Sequence, residues 1–352
     1  MNQRTKKNSA EKGAGASPDV VRFRGRTEPV IDTIRLKGRK YLVLENLSRR
    51  GAVRVFDPQA GPHGDYRVLY RLPHSRATQQ TIETLRRLGG PTANRNFPFI
   101  TDCVRDGGEL FVVMSWVWGT DLRMLLRSIR SGESSRPSVP EMARLFRGLA
   151  HGLSHFHRHA ALVHGDLSPA NLILTSRPTQ LVLIDFGSAW PVEQTATRNA
   201  GDGITFPYAA PERIHAHASE DFRSDQFSLA VIAYELLTLE IPYDGLGGRA
   251  ELPMAGKKSA GQLIPPSKCL PRRQRRVPSD SLQLLDTVLC QSLRLHPDER
   301  FLTPGAWLDA WDRLYFSLRE GSRLSRREKW SLGWIEFLAR PFLGRQRPDQ
   351  EF

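Results

Sequence analysis

The chain has 352 residues, 39% of them hydrophobic and 25% charged, a soluble globular composition long enough for one two-lobed domain with tails or for two modest domains. Its formal charge of +14 reads first as solubility with basic ends, and second as attraction to anionic lipid or nucleic acid. No run reaches the roughly 18 to 20 apolar residues of a membrane span, because the longest, Leu110 to Trp118, is broken by Ser115; the start MNQRTKKNSAEKG carries no apolar secretory segment, and a cytoplasmic location is expected. Cys103, Cys269 and Cys290 lack CxxC or metal-type spacing and read as reduced, mostly buried thiols.

Residues 1 to about 38 are rich in Lys, Arg, Ser and Gly, so a mostly disordered basic tail is expected, with Val30 to Ile34 able to dock as an edge strand. From Tyr41 the texture changes. Tyr41 to Leu47, Ala52 to Phe56 and Tyr66 to Leu72 are β-branched and aromatic runs separated by turn residues, the pattern of an antiparallel meander. A helix is predicted at about Thr78 to Leu88, and strands at Phe97 to Cys103 and Leu110 to Trp118 bring the count to five. Asp121-Leu122 opens a helix, and Arg130 to Pro140 is a Ser, Gly and Pro-rich loop. From Pro140 to His159, Met142, Leu145, Leu149, Leu153 and Phe156 form a 3.6-residue apolar stripe. His151, His155, His157 and His159 read as solvated or dipole-facing, since His151 and His155 have no acidic third metal ligand at a familiar spacing.

Leu162 to Gly187 reads LVHGDLSPANLILTSRPTQLVLIDFG. Ser168-Pro169 cannot lie inside a regular helix, so His164-Gly165-Asp166 begins a loop. Leu172 to Leu174 and Leu181 to Ile184 are apolar strands around the turn Ser176 to Pro178, and a hairpin of that length returns Asp185 beside Asn171 and Asp166. Such a cluster suits transfer of a nucleotide's terminal phosphoryl group, in which the protein orients an acceptor hydroxyl and holds magnesium on phosphate oxygens. Asp166 would accept the hydroxyl's proton, and Asn171 and Asp185 are hard oxygen ligands of the kind magnesium takes.

HGDLSPAN resembles the catalytic loop H-R-D-L-x-x-x-N of the protein kinase family, and Asp185-Phe186-Gly187 its D-F-G. Further motifs follow in the family's order: Ile204 to Glu212 is similar to G-T-x-x-Y-x-A-P-E, Ser224 to Ala230 to the start of a central helix, and His296 to Phe301 to H-P-x-x-R. The resemblance implies a buried ion pair between Glu212 and Arg300, an Asp225 that holds the catalytic loop's backbone, an activation segment from Ser188 to Phe206, and Thr205 in the loop facing the acceptor. It implies an α+β, two-lobed fold, with a five-stranded antiparallel small lobe at about 39–117 and a mainly helical large lobe at about 118–320. ATP and Mg2+ are the implied cofactors, and a protein the implied substrate.

The small lobe departs from the family pattern. Asn46 to Val53 has the spacing of the phosphate-covering loop, with Val53 in place, but Gly51 is its one glycine. Arg71 stands for the phosphate-pairing lysine, and its planar fork is not equivalent to an ammonium. The acid that should pair with it falls near Thr81; Glu83 is two positions away, about 200° around a helix. Met114, Ser115 and Trp116 resemble the hinge that grips an adenine, with Trp116 and Trp118 equally readable as packing residues. Ser168 sits where Ser/Thr kinases carry a lysine, and Gly165 replaces the arginine that reads activation-loop phosphorylation.

Gly245 to Pro278 reads as a solvated loop whose Arg272, Arg273, Arg275 and Arg276 could alternatively dock an acidic partner. Helices are predicted at Ser281 to Leu293 and Pro304 to Arg319. From Gly321, a basic aromatic tail places Trp330, Trp334, Phe337 and Leu338 on one helical face beside Arg326, Arg327, Lys329 and Arg340, for packing on the large lobe or lying on an anionic membrane surface. No nucleic-acid motif is present. Three functions remain open from the residues: a working Ser/Thr protein kinase, a pseudokinase acting as a binding or regulatory module, and a small-molecule phosphotransferase.

Overall fold

A computed structural model describes residues 19–47, 51–72, 94–186, 188–192, 204–214, 220–251 and 261–321. The expected helix with Thr81 and Glu83, Ser48 of the glycine-poor loop, Gly187, most of the activation segment and the tail beyond residue 321 lie outside the described residues. The chain divides into two compact units, residues 1–92 with 99–116, and residues 93–98 with 117–352.

In the first unit, strands β1 (Val20–Phe23) and β2 (Arg26–Pro29) form a hairpin, and β3 (Asp32–Leu36), β4 (Arg39–Asn46), β5 (Ala52–Asp57), β6 (Asp65–Leu72), β7 (Ile100–Asp106) and β8 (Glu109–Ser115) form one antiparallel sheet in the order β3-β4-β5-β6-β8-β7. Six strands stand where five were expected, and residues 20–36 are ordered strands where a mostly disordered tail was expected. The reason is turn chemistry: Arg24-Gly25 and Lys37-Gly38 all take positive φ, closing two-residue turns between the strands they join.

Residues opposite each other in an antiparallel pair share a face. Val53 pairs with Leu69, Leu69 with Val113, and Arg71 with Phe111; Val68 pairs with Met114 and Tyr70 with Val112. Arg71 and Met114 therefore lie on opposite faces of the sheet. Arg71's face carries the cluster Leu36, Tyr41, Val43, Val55, Leu69, Val104 and Val113. On the other face, Phe23 and Val30 pack with Leu42, Leu44, Phe56, Tyr66 and Trp116.

The second unit is mainly helical: α1 (Leu122–Arg130), α2 (Val139–Ala160), α3 (Pro211–Ile214), α4 (Phe222–Thr238), α5 (Pro266–Cys269), α6 (Ser279–Ser292) and α7 (Pro304–Gly321). Ser138 and Glu141 close a capping box at the start of α2, and the predicted apolar stripe is buried against α4 and α7. Helix α4 is buried on every side from Ser224 to Thr238, with the polar Asp225, Gln226 and Glu235 enclosed along with its apolar residues, so it forms the unit's centre. No helix among the described residues is long and apolar enough to cross a membrane.

Candidate active site

The site is built on short strands. Strand β10 (Leu162–Val163) pairs with β13 (Trp190–Pro191), and β11 (Leu172–Leu174) pairs with both β12 (Leu181–Leu183) and β9 (Thr120–Asp121). Gly119 makes the last pairing possible: a Cβ there would stand 2.3 Å from the Leu174 carbonyl oxygen. Pro169–Asn171 forms a 3-10 turn closed by the Asn171 N–H on the Ser168 carbonyl at 3.0 Å, and Ser168 itself is buried. The Ile184 N–H donates to the Asn171 carbonyl at 3.0 Å, so the hairpin sets Asn171 next to the segment carrying Asp185.

Asp225, in the first turn of α4, holds the loop. Its Oδ2 accepts the His164 N–H at 2.8 Å and its Oδ1 the Gly165 N–H at 2.9 Å, and His157 Nε2 reaches Oδ2 at 2.7 Å. Asp225 is fully buried. Burial alone would raise its pKa, but the His157 hydrogen bond and charge and the Gly165 amide outweigh that and hold the carboxyl below its ordinary value. His157, expected to be solvated or dipole-facing, is buried against Asp225 instead, because α2 turns this position toward α4. His151 pairs with Asp312 on α7 at 2.9 Å.

His164 Nε2 contacts the Asp185 carbonyl, while His164 Nδ1 accepts the Asp166 N–H at 3.4 Å, so an imidazole protonated at Nε2 ties the two acidic segments together. Asn171 Nδ2 donates to the Asp166 carbonyl at 2.8 Å. Thr205 Oγ1 donates to Asp166 Oδ1 at 2.9 Å. The structure thus brings Asp166, Asn171, Asp185, Thr205 and Asp225 into one connected network. Glu212 meets Arg300 in a fork, Nη1–Oε1 at 2.7 Å and Nη2–Oε2 at 2.8 Å, with Ser224 Oγ donating to the same carboxylate at 2.7 Å.

The residues of the first unit are not brought together in the same way. Gly51 accepts the Arg71 N–H at 3.3 Å and shares a face with Val53 and Arg71, whereas Met114 and Trp116 are on the other face. A nucleotide lying against one face cannot meet the side chains of both groups. Arg71 is paired with Glu109 of β8, and its side chain is 57% exposed. The Ser115 N–H is committed to the Phe99 carbonyl at 2.8 Å, and Ser115 Oγ accepts the Phe99 N–H at 3.0 Å. Trp116 packs under the Arg54 guanidinium, 5.4 Å from the ring centroid. Sequence patterns do not mark Glu109, Arg213 or Glu220: Glu109 meets Arg71 from 38 residues away and Arg213 meets Gly165 from 48, separations for which local spacing carries no signal, and Glu220 pairs with Arg213 outside any motif.

An antiparallel sheet followed by a mainly helical unit, whose buried central helix fastens a His-Gly-Asp loop beside a hairpin, is the architecture of the kinase class. The protein kinase domain family matches residues 77–303, and the chain belongs to that family. Among curated proteins it is similar to the tyrosine-protein kinase MasK of Myxococcus xanthus, 27% identical over 300 residues, covering 80% of this chain and 44% of that protein. It is also similar to the serine/threonine-protein kinase PknL of Mycobacterium tuberculosis, 36% identical over 153 residues, covering 43% and 36%. The chain spans less than half the length of these relatives. Among solved structures, the kinase domain of Mycobacterium tuberculosis PknI matches with a TM-score of 0.51 and 24% identity over 80% of this chain and 98% of that one. The Cydia pomonella granulovirus kinase PK-1 matches with a TM-score of 0.56 and 20% identity over 77% and 93%. Both likenesses show the fold. The chain is of the bacterial protein kinase type.

Protein kinases use ATP with Mg2+. Among the described residues no group of three or more His, Cys, Asp or Glu could hold a metal ion alone. The fit is of another kind: with Asn171 Nδ2 turned to the Asp166 carbonyl, its amide oxygen and the Asp185 carboxylate make a sparse, hard oxygen set, as suits a magnesium ion that completes its shell with water and phosphate.

Proposed function

We propose that the chain transfers phosphate from ATP to Ser or Thr hydroxyls of protein substrates. Asp166 accepts the proton of the acceptor hydroxyl, and Asn171 and Asp185 hold magnesium, which when bound neutralises charge on the phosphate oxygens. The observation that carries this reading is the Thr205 hydroxyl on Asp166 Oδ1 at 2.9 Å: the carboxylate is reachable by an aliphatic hydroxyl, and its backbone is fixed by Asn171 and His164. Asp225, Glu212 and Arg300 act structurally, and buried Ser168 leaves the phosphate without the lysine usual at that position. Gly51, Val53 and Arg71 supply the nucleotide-facing surface of the first unit, which leaves Met114 and the Trp116 ring to packing. The basic ends and the exposed Arg272, Arg273 and Arg276 suit an acidic partner or an anionic lipid surface.

The relatives include kinases named for tyrosine and for serine or threonine, so phosphoamino-acid analysis of the labelled product is the test. Phosphoserine or phosphothreonine supports the reading; phosphotyrosine alone overturns the acceptor class. A second reading, the pseudokinase, is favoured by one observation: the cation meant for phosphate is already paired with Glu109. Absence of both ATP binding by thermal shift and label transfer would establish it.

A further inference from the structure

Gly165 lies between His164 and Asp166 with φ of 72°, a left-handed conformation that glycine adopts without strain. The residue is gripped at both its backbone polar groups. Its N–H donates to Asp225 Oδ1 at 2.9 Å, and its carbonyl accepts from Arg213 Nε at 3.3 Å. The Arg213 side chain is 2% exposed and sits against Glu220, 3% exposed, with Nε 3.4 Å from Oε2. An ion pair so deeply buried loses much of its attraction to desolvation, so it contributes little net stability for its own sake. Its geometry is directed instead: in α3, Glu212 reaches Arg300 while the neighbouring Arg213 turns to the loop that presents Asp166. A glycine has no side chain with which to anchor that loop, and Arg213 provides the anchor from another element.

We propose that Arg213, charge-balanced by Glu220, is a positioning residue that fixes the Gly165–Asp166 peptide and so aims the Asp166 carboxylate. This rests on the reading of Asp166 as the proton acceptor. The hydrogen bond to the Gly165 carbonyl comes from Nε, which also lies 3.4 Å from the Glu220 carboxylate. An arginine places that nitrogen one bond inside its terminal group, and a lysine has no counterpart to it.

The experiment compares the full chain with the paired variant Arg213→Met/Glu220→Met, which removes both charges at similar volume, and with Arg213→Lys. In the paired variant kcat is expected to fall about 10- to 100-fold while KM for ATP stays within about twofold, the split of a group misplaced by a fraction of an ångström. Amide exchange over residues 162–167 is expected to quicken about tenfold. Arg213→Lys is expected to keep its thermal midpoint and to lose kcat about three- to tenfold. A stable paired variant with wild-type kcat and wild-type exchange overturns the proposal, as does an unchanged kcat in Arg213→Lys should the paired variant not fold. If the wild-type chain transfers no phosphate, the catalytic reading fails separately, and exchange in either variant then decides the clamp: unchanged protection overturns it.

Discussion

Glu212 and Arg300 lie 88 residues apart and meet in a two-pronged ion pair of 2.7 and 2.8 Å. Arg300 also donates to the carbonyls of Arg223, Arg294 and Leu295, at 2.8, 2.8 and 2.9 Å, and its guanidinium lies 4.9 Å from the centroid of the Phe227 ring. One side chain therefore joins α3, the start of α4 and the segment before α7. Arg300→Met leaves a buried carboxylate unpaired and is expected to lower stability by about 3–5 kcal/mol in urea unfolding. A loss below about 1 kcal/mol would show that the pair is not the tie described.

The opposite orientation of Arg71 and Met114 separates two substitutions that sequence spacing alone would class together. Arg71→Ala is expected to weaken ATP binding about tenfold or more, and Met114→Ala to change it less than about twofold, by calorimetric titration. The reverse ranking would place the nucleotide against the Met114 face.

Asp312 carries a pH dependence. Burial would raise its carboxyl, but the His151 hydrogen bond and charge and the neighbouring Arg147 outweigh this and hold it below the ordinary 3.8. A carboxyl depressed in the folded state binds protons more readily in the unfolded chain. Its contribution is therefore complete above about pH 4 and is lost as pH falls through the lower folded value. Asp312→Asn is expected to be about 1–2 kcal/mol less stable than wild type at pH 6, with the gap closing toward pH 3. A gap constant with pH would contradict this.

Gly165 offers no guanidinium to a phosphorylated activation segment, and the Arg213–Glu220 pair is internal to the chain. Phosphatase-treated protein is therefore expected to keep its transfer rate within about twofold. A tenfold loss would show that a phosphate is read elsewhere.

The second unit was legible because its motifs combine local spacing with strong periodicity. The hairpin from Leu172 to Leu183 and the stripe on α2 could be read residue by residue, and Asp225 and Arg300 were marked by the resemblance. The first unit was less legible for two physical reasons. Its hairpin turns at Arg24-Gly25 and Lys37-Gly38 lie in a basic stretch whose strands are short and, in β2 and β3, carry few apolar residues. Side-chain facing in a strand has period two, so spacing carried over one residue out of step puts Met114 on the wrong face from Arg71. Contacts such as His157 with Asp225 and Arg213 with Gly165 are long-range, and no local pattern announces them.

The most direct measurement is phosphate transfer from γ-labelled ATP with Mg2+ by the full chain, to itself or a generic protein, beside Asp166→Asn. Incorporation by the wild type, with a loss of about 100-fold or more in the variant, is expected of a proton-accepting Asp166. Equal incorporation by both proteins, or none by either, would contradict it.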